Sequence, residues 1–128
     1  MIITKNEDIA PFDIDSTLVL PYNQEHGAIV KILDPVTGGY IVQRRHDAMI
    51  RLVKEARQRG SYVLVWSRGG WEWAQNVIKA LELEPYVHQI MSKPRASYDD
   101  TPVENWLKDR VYIEPGIEYK NTITKTKE

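Results

Sequence analysis

An α/β fold built on a mainly parallel sheet is what this sequence predicts, and three observations carry the expectation. Short apolar runs of strand length alternate with longer segments whose apolar residues recur at helical spacing. One run, Val63-Leu64-Val65-Trp66, is apolar without interruption, the pattern of a strand buried on both faces. The residues with the most chemistry, Asp13, Ser67 and Asp99, each come at or just beyond the carboxyl end of an expected strand. In an open parallel sheet that edge is where ligands bind, so residues far apart in the chain are expected to converge there.

Residues 9–13 read as a short buried strand, although Pro11 lacks a backbone donor and is unusual in a central strand. Residues 28–33 and 39–43 flank Asp34-Pro35-Val36-Thr37-Gly38 and read as a β-hairpin. This hairpin, at 28–43, interrupts the alternation after the first strand and is expected to act as a small flap over the mouth of the site. A helix over 46–59 comes next, with Met49, Ile50, Val53 and Ala56 on its apolar face and Gly60 as its stop. After the strand at 63–66, a second helix presents Trp71, Ala74, Ile78 and Leu81, and Pro85 closes it. Residues 87–90 and 111–113 are shorter strand candidates, and 95–98 is another because it precedes Asp99. Thr101-Pro102-Val103-Glu104 has the form of a capping box with proline at the first helical position, which predicts a short third helix. Residues 1–120 are expected to form one domain, and the polar, lysine-rich stretch 121–128 a frayed tail.

Composition bounds what such a domain can do. The 128 residues are 42% hydrophobic and 27% charged, the balance of an ordinary globular domain long enough to bury a core. A net charge of -1 supplies no basic field for nucleic acid or anionic membrane. Cysteine is absent, which excludes disulfides, thiolate metal sites and cysteine nucleophiles. No apolar run approaches the roughly 18 residues that would span a bilayer, and residues 1–8 lack a signal-peptide pattern. A cytoplasmic protein without a membrane partner is the expectation.

The most informative feature is Asp13-Ile14-Asp15-Ser16-Thr17, directly after the apolar stretch Ile9-Ala10-Pro11-Phe12. Two carboxylates so close repel each other and need a cation or a proton to offset them. Alone, the triplet reads as a pair of solvated aspartates. It gains meaning from three further groups in a fixed order: Ser67 after its apolar strand, Lys93 in Ser92-Lys93-Pro94, and the pair Asp99-Asp100. Together these supply a nucleophile, a hydroxyl, a cation and acids suited to hard Mg²⁺, which is a phosphate-handling set. Asp13 can attack phosphorus, Lys93 and Ser67 can stabilise phosphate oxygens, and Asp15 can protonate a leaving group and then activate water.

This set resembles the haloacid dehalogenase-like (HAD) phosphohydrolase superfamily over roughly residues 9–113. Asp13, Asp15 and Thr17 match its first motif, Ser67 its second, Lys93 its third, and Asp99 with Asp100 its fourth. The resemblance implies a Rossmann-like three-layer α/β/α fold in which the 28–43 hairpin is a minimal cap. It also implies a Mg²⁺-dependent phosphatase that works through an aspartyl-phosphate. Asp13 is then the nucleophile and Asp15 the general acid/base. The metal ligands it implies are Asp13, Asp15 through its carbonyl, Asp99 and its neighbour Asp100. The substrate-binding residues are Ser67, Arg68, Gly69 and Lys93. The substrate is a phosphorylated small molecule or nucleotide. Ser67-Arg68-Gly69 is also similar to the phosphatase half of polynucleotide kinase-phosphatases, which adds a phosphorylated nucleic-acid end.

Other readings stand beside this one. Arg68-Gly69-Gly70 either binds a second anionic part of the substrate or forms a plain strand-to-helix turn. Arg44 and Arg45 either line the entrance or form a solvated rim. His26, His46 and His88 lack metal-ligand spacing, and Trp71, Trp73 and Trp106 read as packing residues. A receiver-like module, phosphorylated on aspartate without turnover, uses the same groups. Its acidic pair, however, precedes the phosphorylated aspartate, which comes after the central strand; here that strand ends in Ser67. A catalytically silent phosphate- or Mg²⁺-binding relative has no need to keep Asp15 and Lys93 together.

Overall fold

The computed structural model describes residues 9–24, 27–107, 109–113 and, for the backbone, 123–125. The strands are β1 (Ile9–Asp13), β2 (Val19–Leu20), β3 (Ile29–Leu33), β4 (Tyr40–Arg45), β5 (Tyr62–Ser67), β6 (Gln89–Ser92), β7 (Val111–Ile113) and β8 (Ile123–Lys125). Helix α1 (Asp47–Gln58) lies between β4 and β5, and α2 (Trp71–Ala80) between β5 and β6. The architecture is mixed α/β, with a small parallel sheet in the order β1-β5-β6.

β5 is the middle strand, and Val63, Leu64 and Val65 are buried in succession, so both of its faces are covered. Both helices pack on this strand. The α1 face is the expected one: Met49, Ile50, Val53 and Ala56 are all buried, and Gly60 comes just after with φ of 94°. On α2 the buried face is Trp73, Ala74, Val77 and Ile78, continued by Leu81, while Trp71 is 51% exposed. The helix is therefore rotated from the expected face, and Trp73 replaces Trp71 inside. Trp106 is exposed too, so of Trp71, Trp73 and Trp106 only Trp73 packs in the core.

Pro11 is accommodated because β1 pairs only with β5 among the described residues, and an edge strand tolerates a missing donor. The expected strand at 87–90 is shifted to Gln89–Ser92. A single 3-10 turn at Glu84–Tyr86 takes up the chain first, and the His88 amide then donates to the Val63 carbonyl at 2.9 Å.

The hairpin forms as expected and is joined by β2, giving an antiparallel sheet in the order β2-β4-β3. Its turn is built by Asp34, whose carboxylate accepts the Val36 amide at 2.9 Å and the Thr37 hydroxyl at 3.0 Å. These bonds, the Val36 amide first, hold the Asp34 carboxyl below its ordinary pKa. The base of the hairpin belongs to the core: Ile32 is fully buried, Val30 packs beside it, and Asn76 of α2 donates to the Leu33 carbonyl at 2.8 Å. Arg44 donates to the carbonyls of Tyr22 and Gly27, at 2.8 and 3.1 Å, and its guanidinium lies over the Tyr22 ring. Arg45 pairs with Asp47 at 3.1 Å. Arg44 thus pins the segment before β3 and is not a solvated rim charge. At Gly27, φ is 77° and a Cβ would stand 1.9 Å from the Arg45 carbonyl oxygen, so only glycine fits.

Three expectations beyond β6 are corrected. Residues 95–98 form no strand: all four are exposed, Tyr98 at 98%, and no burial stabilises extended pairing there. The capping box does not close. The Thr101 hydroxyl donates to Asp100 at 3.0 Å, and the chain then makes only a 3-10 turn, Val103–Asn105, with Pro102 at its cap. The 121–128 stretch is not all tail, because Ile123–Lys125 pairs antiparallel with β7, outside the parallel sheet. Residues 121, 122 and 126–128 lie outside the described residues, as do 1–8 and 114–120 of the expected domain. Among the described residues no helix is long and apolar enough to cross a membrane.

Candidate active site at the carboxyl edge of the parallel sheet

Strand register brings three of the expected residues to one edge. Asp13, the last residue of β1, is level with Trp66 of β5, and Ser67 at the end of β5 is level with Ser92 at the end of β6. Lys93 is the next residue, and its amide donates to the Ser67 carbonyl at 2.8 Å. The lysine is therefore held to the edge by main chain, independently of where its side chain reaches.

Beyond Asp13 the chain turns tightly. The buried Ile14 carbonyl accepts the amides of Thr17, Leu18 and Val19 at 3.1, 2.9 and 3.3 Å. Ser16 sits in the left-handed region with φ of 63°, a conformation that costs about 1–2 kcal/mol for a residue with a Cβ. His46, buried just before α1, helps to hold this turn. Its Nδ1 donates to the Thr17 carbonyl at 2.8 Å and its amide to the Leu18 carbonyl at 3.0 Å.

The two carboxylates face different partners. Asp13 Oδ1 lies 3.9 Å from Lys93 Nζ, and its Oδ2 accepts a long hydrogen bond from the Thr17 hydroxyl at 3.4 Å. An ion pair this exposed contributes about 0–1 kcal/mol to stability, so its interest is chemical. Asp15 is gripped at both oxygens: Oδ2 by the Ser67 hydroxyl at 3.3 Å, and Oδ1 by the Trp73 indole N–H at 3.1 Å. The Ser67 oxygen itself accepts the Gly69 amide at 2.9 Å and is part of a residue with 0% exposure. Repulsion within the pair is thus offset separately, Asp13 by a cation and Asp15 by two donors.

Around this centre, Gly69 is closely surrounded: a Cβ there would stand 3.2 Å from Trp73 Cδ1 and 3.3 Å from Ser67 Oγ. Arg68 is exposed on the turn into α2, and Ser92 Oγ accepts the Trp71 amide at 3.0 Å, capping that helix. Asp99 and Asp100 differ in character. Both are exposed, with Asp99 accepting the Thr101 amide at 3.1 Å and Asp100 the Thr101 hydroxyl. The Thr101 contact, then the neighbouring Asp99, holds the Asp100 carboxyl below its usual range.

Among the described residues no group of three or more His, Asp or Glu side chains is placed to hold a metal ion. Asp13 and Asp15 have the oxygen chemistry that Mg²⁺ takes, but Asp99 and Asp100 do not complete a coordination set with them in this arrangement. The expected site therefore divides. Asp13, Asp15, Ser67 and Lys93 come together, Arg68 and Gly69 border them, and Asp99 and Asp100 stay in their own turn.

Sequence reasoning does not single out two residues of this site. Trp73 reads as a packing residue, yet a buried indole needs an acceptor for its N–H, and that requirement is the available signal. His46 stands at the expected start of a helix, and nothing in its spacing points to the Thr17 carbonyl. His88 has no part in the site; it accepts the Val63 amide at 2.9 Å and stacks on Tyr62. His26 lies outside the described residues. Comparison of the chain with family models, with curated proteins and with solved structures finds no match.

Proposed function

We propose that this chain is a phosphohydrolase of the HAD-like type, with a Rossmann-like three-layer fold, hydrolysing a phosphomonoester through an aspartyl-phosphate on Asp13. The observation that carries the reading is the convergence of Asp13, Asp15, Ser67 and Lys93 at the carboxyl edge of a parallel sheet, with Lys93 Nζ 3.9 Å from the Asp13 carboxylate.

In the first step an Asp13 oxygen attacks phosphorus and the ester P–O bond breaks. Asp15, entering as the acid, gives its proton to the departing oxygen, which leaves as an alcohol. In the second step Asp15, now a carboxylate, takes a proton from water as the water oxygen attacks phosphorus. The acyl-phosphate bond breaks, Asp13 is restored and inorganic phosphate departs. Lys93 offsets the charge that an anionic nucleophile and an anionic phosphoryl group bring together. Mg²⁺, when bound, would add to that charge compensation.

The test is phosphate release from an aryl phosphate by the wild-type chain and by Asp13→Asn, which keeps the side-chain shape and removes the nucleophile. Release by the wild type and a loss of at least about a thousandfold in the variant are expected. Turnover retained by a clean Asp13→Asn preparation ends the covalent mechanism. A panel of sugar phosphates, nucleotides and 3′-phosphorylated oligonucleotides then separates the small-molecule reading from the nucleic-acid-end reading.

A further inference from the structure

We infer that Trp73 is a positioning residue for Asp15, and that Ser67 shares this task instead of serving only as a phosphate ligand; the inference rests on the phosphohydrolase reading and deepens it. Four observations converge on it. Trp73 is 8% exposed, so its single N–H has to find an acceptor inside the fold. The acceptor it finds is Asp15 Oδ1, 58 residues away in the chain, at 3.1 Å. The other carboxylate oxygen is taken by Ser67 at 3.3 Å. Ser67 is in turn held by the Gly69 amide at 2.9 Å, so its hydroxyl hydrogen is directed away from Gly69 and toward Asp15.

The physical consequence is rotational. The terminal torsion of an aspartate is broad, and a carboxylate held at one oxygen still swings about that bond. Donors at both oxygens lock the plane of the group. The two donors come from rigid elements: Ser67 ends the central strand, and Trp73 lies in the first turn of α2, whose start is fixed by Ser92. A Cβ at position 69 would stand 3.2 Å from Trp73 Cδ1, so glycine there leaves the indole the space it occupies beside Asp15. A proton donor to a leaving group has to present one oxygen along one line, and a small misplacement costs rate steeply. The lock belongs to Asp15 alone, since Asp13 is touched by Thr17 and Lys93 and by neither of these donors.

The experiment compares the wild type with Trp73→Phe and with β-(3-benzothienyl)alanine at position 73, which keeps the bicyclic shape and replaces the N–H by sulfur. An alkyl phosphate, whose leaving group needs a proton, and p-nitrophenyl phosphate, whose leaving group does not, are the two substrates. Removing the N–H is expected to lower kcat/KM, which reads the steps up to departure of the leaving group, about tenfold or more on the alkyl phosphate while changing it about twofold or less on p-nitrophenyl phosphate. An equal loss on the two substrates, or no loss in the benzothienyl protein, overturns the positioning role. Absence of wild-type turnover on either substrate instead counts against the phosphohydrolase reading, and the contact is then decided by NMR. The Trp73 indole N–H resonance should move more on Asp15→Asn than on Asp13→Asn; equal or absent movement overturns the inference on its own.

Discussion

His88 gives a direct handle on stability, because the Val63 amide can donate to its Nδ1 only while that nitrogen is unprotonated. Loss of hydration first, and the Arg57 charge second, hold the His88 pKa below its ordinary value. The unfolded chain has neither influence and takes up the proton near the usual pH of about 6.5. As pH falls through that value the unfolded state binds the proton first, so stability falls. The contribution is fully present above about pH 6.5 and is lost on the acid side, down to the lower folded-state pKa. The urea midpoint should therefore drop more between pH 7.5 and pH 5.5 for the wild type than for His88→Gln. Equal drops would show that the Val63 contact has no energetic coupling to the proton.

At the scale of elements the hairpin is the instructive case. Its register puts Val30, Ile32, Ile41 and Gln43 on one face, and Ile32 reaches 0% exposure against α2 and the main core. The tip at Asp34 to Gly39 is solvated, while the base is packed. Truncating Ile32 to alanine should cost about 2–5 kcal/mol, as buried isoleucines do, whereas Ile41→Ala, at a position 37% exposed, should cost clearly less. Urea denaturation of both variants measures this, and equal small costs would return the hairpin to the status of a detachable flap. The element is legible from its turn residues and its alternation. Its attachment is not, since the residue that anchors it is one isoleucine among several, and only the register with β4 decides which one faces inward.

For the molecule as a whole, the 99–100 turn stands apart from the groups gathered at the carboxyl edge of the sheet. Its carboxylates are solvated and engaged locally with Thr101, whose contact holds the Asp100 carboxyl below its usual range, and a cation can recruit them without desolvating a core. If Mg²⁺ serves the proposed reaction, Asp99→Asn should raise the Mg²⁺ concentration for half-maximal activity about tenfold or more, in line with the loss of one charged ligand. Unchanged Mg²⁺ dependence would leave Asp99 as a turn residue alone. The two helices, the parallel pairing and the shared edge of Asp13 and Ser67 are legible in the chain, because strand ends and hydrophobic period are properties of neighbouring residues; Asp99, expected at that edge, is not there, because no strand forms before it.

By itself the sequence determined the α/β class, the α1 face, the hairpin and the convergence of Asp13 with Ser67, while the structure put Lys93, and not Asp99, beside them. These depend on local periodicity, on turn chemistry and on the rule that parallel strands end at a common edge. Tertiary structure alone decided which tryptophan of α2 turns inward, that its N–H and Ser67 share Asp15, and that Arg44 braces the chain before β3. It also decided that residues 95–98 form no strand and that Ile123–Lys125 joins β7. The reason is common to all of these. Each turns on the partner a group meets across a long stretch of chain, and an isolated indole, guanidinium or carboxylate carries no record of which partner that is.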